Sequence, residues 1–268
     1  MITNIAIGQY YPAESPIHAM DPRVKLIGVI MYISALFMIS GIAGYAFIIL
    51  SIGALIRLSR VPFRFMLKGL RGIMFIMLFT VVLNIFFTPG EKLILQFYFI
   101  RITQEGLILA FKMGLRLALL IIGSSLLTLT TSPIELTDAL EQLMKPLKRL
   151  GVPAHEIAMM MTIALRFIPT LVEEMDKIMK AQTARGADFD TGGIVKKARS
   201  LIPLLVPLFI SSFRRADELA LAMEARCYRG DVNRTRMKEL KLSRLDMKAI
   251  GFMSLFAAMI AAIRIFLG

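Results

Sequence analysis

Four long stretches of this chain, residues 26–56, 72–90, 117–134 and 249–263, contain no Asp, Glu, Lys, Arg or His. A backbone held in hydrocarbon must satisfy its own N–H and C=O groups, so such runs fold as helices of about 20 residues that cross a bilayer. The first run is too long for one crossing and breaks near Ser40-Gly41, which divides it into spans at about 22–40 and 42–60. Further spans near 68–88, 106–131 and 248–267 bring the expected number to about five. Arg23, Lys25 and Arg57 stand at the ends of the first two, where long basic side chains reach the headgroups.

Composition agrees with a lipid-solvated chain. Hydrophobic residues make up 57% and mean hydropathy is +0.69, against about 45–50% apolar in soluble domains. The net charge is nevertheless +13, and its distribution sets an orientation. Residues 57–71 carry Arg57, Arg60, Arg64, Lys68 and Arg71 with no acid, whereas 88–100 carry only Lys92 against Glu91. The excess of basic residues on inside loops then predicts a cytoplasmic N-terminus, a cytoplasmic segment 132–247 and an external C-terminus. The expected fold is an all-α integral membrane protein with about five transmembrane helices plus long cytoplasmic or interfacial coupling helices. Its expected regions are 1–131 with about four spans, 132–247 as the coupling-helix region, and 248–268 as the last transmembrane helix. The first 20 residues lack a basic start and a continuous apolar core, so no cleavable signal peptide is expected.

Segment 132–247 is charged yet too apolar in places to face water. Ser132-Pro133-Ile134-Glu135 is a helix start with a serine cap, proline at the first helical position and glutamate placed to close a capping box. The helix it opens has Leu136, Leu140, Leu143 and Leu147 on one face and breaks at Pro146 or at Gly151-Val152-Pro153. Two longer helices follow, from 154 to about 185 and from about 194 to 226. The pairs Glu173–Lys177 and Asp176–Lys180 mark a solvated face on the first. Ala216 and Ala220 on the second have the spacing that lets another backbone approach, which predicts a crossing near Ala181 and Ala220.

Both helices end in the same kind of triplet, Ala184-Arg185-Gly186 and Ala225-Arg226-Cys227. A cation in the last turn is favoured by the helix dipole by about 0.3–1 kcal/mol, and a glycine just beyond supplies a left-handed cap. Each triplet alone is therefore an ordinary helix end. Two matched ends are also two arginine knobs, because a guanidinium offers a planar fork of donors to carboxylates in a groove.

Other chemistries find little support. There is no G-x-x-x-x-G-K-[ST] phosphate loop. His18 and His155 stand apart from any cysteine or carboxylate at ligand spacing, and the single cysteine, Cys227, excludes an internal disulfide. Lys112 and Arg116 are charges inside the fourth expected span, as cavity-facing or partner-facing cations or as residues that sit near the outer interface or pair with Glu105. Lipid headgroups account for the basic excess without nucleic acid, since no recognition fold accompanies it.

With these residues in view, the chain resembles the transmembrane T component of energy-coupling factor transporters, the EcfT family, over nearly its whole length. Gly8-Gln9-Tyr10, Ser15-Pro16-Ile17-His18 and Asp21-Pro22-Arg23-Val24-Lys25-Leu26 are similar to the family's entry into its first span. Thr131-Ser132-Pro133, Leu136-Thr137-Asp138-Ala139-Leu140-Glu141 and Leu165-Arg166-Phe167-Ile168-Pro169 are similar to its coupling region. On the residues alone, Asp21-Pro22 is a helix cap or a partner contact, and Arg166 with Pro169 is a kink with a locally paired arginine or part of a binding surface. The resemblance implies that Ala184, Arg185 and Gly186, and Ala225, Arg226 and Cys227, end two coupling helices that dock in grooves of two ATP-binding subunits. Cys227 stands where glycine is usual and Tyr228-Arg229-Gly230 follows, so both Arg226 and Arg229 are candidates for the second groove.

The implied assembly is an ATP-driven importer of vitamins or other micronutrients in the cell membrane, with a small substrate-binding membrane (S) component as a further partner. This chain would be non-catalytic and hold no cofactor, with ATP and Mg²⁺ bound by the partner subunits. Its 19 methionines suit a surface that repacks against different partners, or simply fill an apolar protein. A self-sufficient permease or channel is the alternative and would need a polar pathway through its own spans. A membrane-embedded enzyme would need convergent catalytic groups, and none is visible.

Overall fold

The computed structural model describes residues 10–39, 41–90, 92–97, 100–187, 189, 193, 199–230 and 240–267. It packs as two compact units. One holds the described residues of Gly8–Ala139 and Glu239–Gly268, the other those of Leu140–Lys238, so the division falls within a helix that begins at Pro133.

The first unit contains α1 (Pro16–Ala19), α2 (Pro22–Met38), α3 (Ile42–Ser59), α4 (Phe63–Phe87), the hairpin β1 (Leu93–Phe97) and β2 (Ile100–Thr103), α5 (Gln104–Thr130), the start of α6 (Pro133–Met144) and α9 (Arg244–Leu267). The second contains the rest of α6, a 3₁₀ turn (Lys145–Leu150), α7 (Ala154–Ala184) and α8 (Ile202–Ala225). The all-α expectation thus acquires one antiparallel hairpin, in register Leu93↔Thr103, Leu95↔Ile102, Gln96↔Arg101 and Phe97↔Ile100.

Local sequence explains most helix starts. Asp21 accepts the N–H of Arg23 to cap α2, with Pro22 in the first turn, and Thr103 accepts the N–H of Gly106 to cap α5. Ser132 and Glu135 close the expected capping box, each backbone N–H bonding the other's side chain at 3.3 Å. α6 gives way to the 3₁₀ turn at Lys145-Pro146, which ends in Gly151 at φ 85°.

Among the described residues five helices are long and apolar enough to cross a membrane: Ile42–Ser59, Phe63–Phe87, Gln104–Thr130, Ala154–Ala184 and Arg244–Ile265. Four coincide with expected spans. The first expected span is α2, 17 residues long, which is about 25 Å and short of a typical crossing. The fifth long apolar helix is instead α7, whose first half, up to Val172, is as apolar as a span before Glu173 begins a charged half. α4 exposes Met74, Phe75, Ile76, Leu78 and Phe79, the all-round apolar surface of a lipid-facing helix.

The core of the first unit lies among α2, α3, α5 and α9, where Leu36, Ile48, Leu119, Phe256 and Ile260 bury their side chains together. Tyr32 packs against Gly123, where a Cβ would lie 2.3 Å from the ring, and its hydroxyl donates to the carbonyl of Leu119 at 2.9 Å. A polar knot joins the starts of α2 and α9. Asp246, 1% exposed, accepts from the N–H of Asp21, the N–H of Ser243 and the Ser243 hydroxyl, each at 2.7 Å. Asp21 also receives Arg23 Nη2 at 2.6 Å. Arg116 forms no ion pair with Glu105 among the described residues: it donates to the carbonyl of Ile39 at 3.0 Å, with its guanidinium 5.8 Å from the Phe37 ring. It therefore satisfies an orphan acceptor at the end of α2.

Candidate docking site

α7 runs unbroken through Pro169, and Pro203 lies in the first turn of α8 rather than inside it, because Leu201 is the N-cap. The expected start near 194 falls outside the described residues. The end of α8 meets the start of α7: the Tyr228 hydroxyl donates to Met159 Sδ at 3.0 Å and lies 3.5 Å from His155 Nε2. Farther along α7, Glu174 meets α8 midway, accepting from the Ser211 hydroxyl and from Arg215 Nη2, the latter at 2.9 Å. The helices are therefore antiparallel, and Arg185 and Arg226 lie at opposite ends of the pair. The stretch of α7 from Met159 to Arg185 measures about 39 Å at 1.5 Å per residue.

Each triplet closes its helix in the same way. Arg185 is the C-cap of α7, Gly186 follows at φ 89°, and the N–H of Ala187 bonds the carbonyl of Gln182 at 3.0 Å. Arg226 is the C-cap of α8, Cys227 follows at φ 56°, and the N–H of Tyr228 bonds the carbonyl of Met223 at 3.0 Å. Both are Schellman turns, in which the left-handed residue lets the chain fold back onto the last carbonyls. Cys227 adopts the glycine conformation despite its Cβ.

Ala184, Arg185, Gly186, Ala225, Arg226, Cys227 and Arg229 are all exposed. None of the three arginines enters an ion pair with another described residue. Arg166 and Pro169 are also exposed, and the local pairing expected for Arg166 does not form among the described residues. The pairs Glu173–Lys177 and Asp176–Lys180 do not close either.

The expected crossing at Ala181 and Ala220 is corrected: both are exposed, and the helices are joined by Glu174, Ser211 and Arg215. The Ser211 hydrogen bond, with Arg215, holds the Glu174 carboxyl below the usual carboxylate range against the opposing effect of partial burial. Sequence reasoning also missed Glu141, whose Oε1 lies 3.0 Å from His155 Nδ1 and fastens the end of α6 to the start of α7. Local spacing carries no signal for either contact.

A polytopic helical membrane protein with two long helices ending in matched, exposed cationic caps has the design of a subunit that transmits motion to partners. The comparisons agree. The cobalt transport protein (CbiQ) family model matches residues 13–238. The energy-coupling factor transporter transmembrane protein EcfT of Clostridium kluyveri is 59% identical over 247 residues, 92% of each chain. Its counterpart in Ruminiclostridium cellulolyticum is 54% identical over 96% of each chain. The one in Bacillus subtilis is 45% identical over 98% of this chain and 100% of its own. The chain belongs to the EcfT family: it is the multi-pass transmembrane coupling subunit of an energy-coupling factor transporter, and not an enzyme.

Proposed function

We propose that Arg185 and Arg226 are the points at which two ATP-binding subunits grip this chain, and that α7 and α8 carry their motion to a small substrate-binding membrane component. The observation that supports this most is the identity of the two caps. Helix ending alone would not require an arginine at both C-caps, an exposed side chain at each, and a cysteine forced into a glycine conformation at one. The wide separation of the ends suits two subunits that approach and part on nucleotide binding. ATP and Mg²⁺ belong to those subunits, and this chain holds no cofactor.

Segment 132–247 is the coupling region and faces the cytoplasm with the N-terminus, while 1–131 and 248–268 form the membrane-embedded part. Leu205, Val206, Phe209, Ile210 and Phe213 on α8 and Met160 and Met161 on α7 are exposed, more apolar surface than a solvated hairpin tolerates. They suit contact with lipid and with the substrate-binding component. The cargo is a vitamin or another micronutrient. Of the two candidates for the second groove, Arg226 matches Arg185 in cap position, whereas Arg229 lies beyond the turn. Co-purification of the ATPases with wild-type chain but not with Arg185→Ala, Arg226→Ala chain tests the assignment; undiminished capture by the double variant overturns it.

A further inference from the structure

In the first unit, α2, α3, α5 and α9 leave between them a cleft of about 390 Å³, within the roughly 300–1,000 Å³ of small-molecule sites. Its walls include Ile52, Leu55, Leu127 and Phe252, and its lining contains no acidic side chain. Two cations belong to it: Lys25 from the first turn of α2 and Lys248 from the start of α9.

Lys25 is 6% exposed and among the described residues bonds only backbone carbonyls, those of His18 at 3.1 Å and Thr130 at 2.9 Å. An ammonium has three protons, so one is left over. The acids nearby are committed elsewhere: Asp21 to Arg23, Asp246 to the backbone of Asp21 and Ser243, and Glu135 to its capping box. Lys248 is exposed. Arg57 and Arg60, at the end of the helix that supplies Leu55 and Leu58, add positive charge.

We propose that this cleft binds one anionic phospholipid, its phosphate held by Lys25 and Lys248 and an acyl chain laid along the apolar walls. Positive charge confined to two lysines on an otherwise apolar, acid-free lining matches an amphiphile with an anionic head. A helix from a partner membrane protein would fill the walls without using the lysines.

Trp is absent from the chain, so Phe252→Trp places a single reporter of this subunit in the cleft. The assembled transporter carrying it is put into nanodiscs of phosphatidylcholine with graded dibrominated phosphatidylglycerol or dibrominated phosphatidylcholine, and the same complex without the reporter serves as the blank. Phosphatidylglycerol is expected to quench half-maximally at about one tenth the mole fraction of phosphatidylcholine. Lys248→Ala is expected to reduce that preference about fivefold, the effect of about one cation at an anionic surface. Ala54→Phe, which fills the cleft without touching a charge, is expected to weaken quenching by both lipids. Equal quenching by the two lipids, a preference unchanged by Lys248→Ala, or no quenching by either, as a seated partner helix would give, overturns the proposal. If the reporter prevents assembly, lipid mass spectrometry of the complex purified from native membranes decides: a retained anionic lipid lost in Lys248→Ala supports the site, and equal retention sinks it.

Discussion

Arg185 and Arg226 share one backbone conformation, φ −87° and ψ 7° against φ −90° and ψ 12°, and each is followed by a residue in the left-handed region. Their Cα–Cβ bonds therefore leave the two helix ends in the same direction relative to each axis. The antiparallel pairing of α7 and α8 then points two equivalent knobs away from each other, a geometry built on Glu174, Ser211, Arg215 and Tyr228.

The caps make the first prediction. A side chain in the left-handed region costs about 1–2 kcal/mol, so Gly186→Ala should destabilise the end of α7 by that amount and Cys227→Gly should stabilise the end of α8 by a similar amount. Thermal unfolding of the purified complex should order the three as Gly186→Ala, wild type, Cys227→Gly. A Cys227→Gly chain less stable than wild type would mean that the thiol makes a contact worth more than the strain.

Docking makes the second. Truncating an arginine that fills an acidic groove leaves the groove's carboxylates unpaired, at a cost of about 2–5 kcal/mol per interface. Arg185→Ala and Arg226→Ala should each weaken assembly or uncouple ATP hydrolysis from uptake, Arg185→Glu more so. The double change should abolish uptake with the amount of inserted protein unchanged. Arg229→Ala is the comparison: similar small losses of stability at all three positions, with normal uptake, would leave only a capping role.

What was legible in the sequence was local. The Ser132–Glu135 box, the Asp21 cap and four of the five expected spans rest on effects that act within a few residues or through composition alone, and these form as expected. The Glu174 contacts join residues 37 and 41 apart, and the Asp21–Asp246 bond joins residues 225 apart, so spacing could not reveal them. The Ala216-x-x-x-Ala220 pattern marked a surface that a backbone could approach but not which backbone. The β1–β2 hairpin was overlooked because a strand of four or five residues is shorter than the helical periods that dominate an apolar chain.

Asp246 should be among the least replaceable residues of the membrane unit. Asp246→Ala leaves the buried N–H of Asp21 without its acceptor, at about 1–3 kcal/mol, while the N–H of the exposed Ser243 turns to water. Asp246→Asn keeps one acceptor oxygen and should lose less. The melting temperature of solubilised protein should fall in that order, and an Asp246→Ala chain as stable as wild type would show that water or another group replaces the carboxylate at no cost.

The Glu174 clamp predicts a pH dependence of defined sign. Its carboxyl titrates below the ordinary range, so the contribution is present above the unfolded value and is lost as pH falls through the folded one. Glu174→Gln should therefore melt below wild type near neutrality, and the gap should narrow as the pH is taken from 6 towards 3. A gap that stays constant across that range would mean that the carboxylate charge does not hold α7 to α8.

Orientation supplies the last and most consequential test. The basic loop after α3 predicts that a cysteine at Arg60 is reached only from the cytoplasm and one at Gly90 only from outside. Replacing the single native cysteine by Cys227→Gly provides the background. The informative position is Gly193, between α7 and α8, because α7 is itself long and apolar enough to cross the membrane. If α7 lies on the cytoplasmic side, Gly193→Cys reacts with a membrane-impermeant maleimide only in inverted vesicles or opened cells. If the apolar half of α7 crosses the bilayer, Gly193→Cys reacts in intact cells. Arg185 would then face away from ATP while Arg226, at the other end of the antiparallel pair, stayed inside, and the two knobs could not both serve as proposed, however well the two caps match.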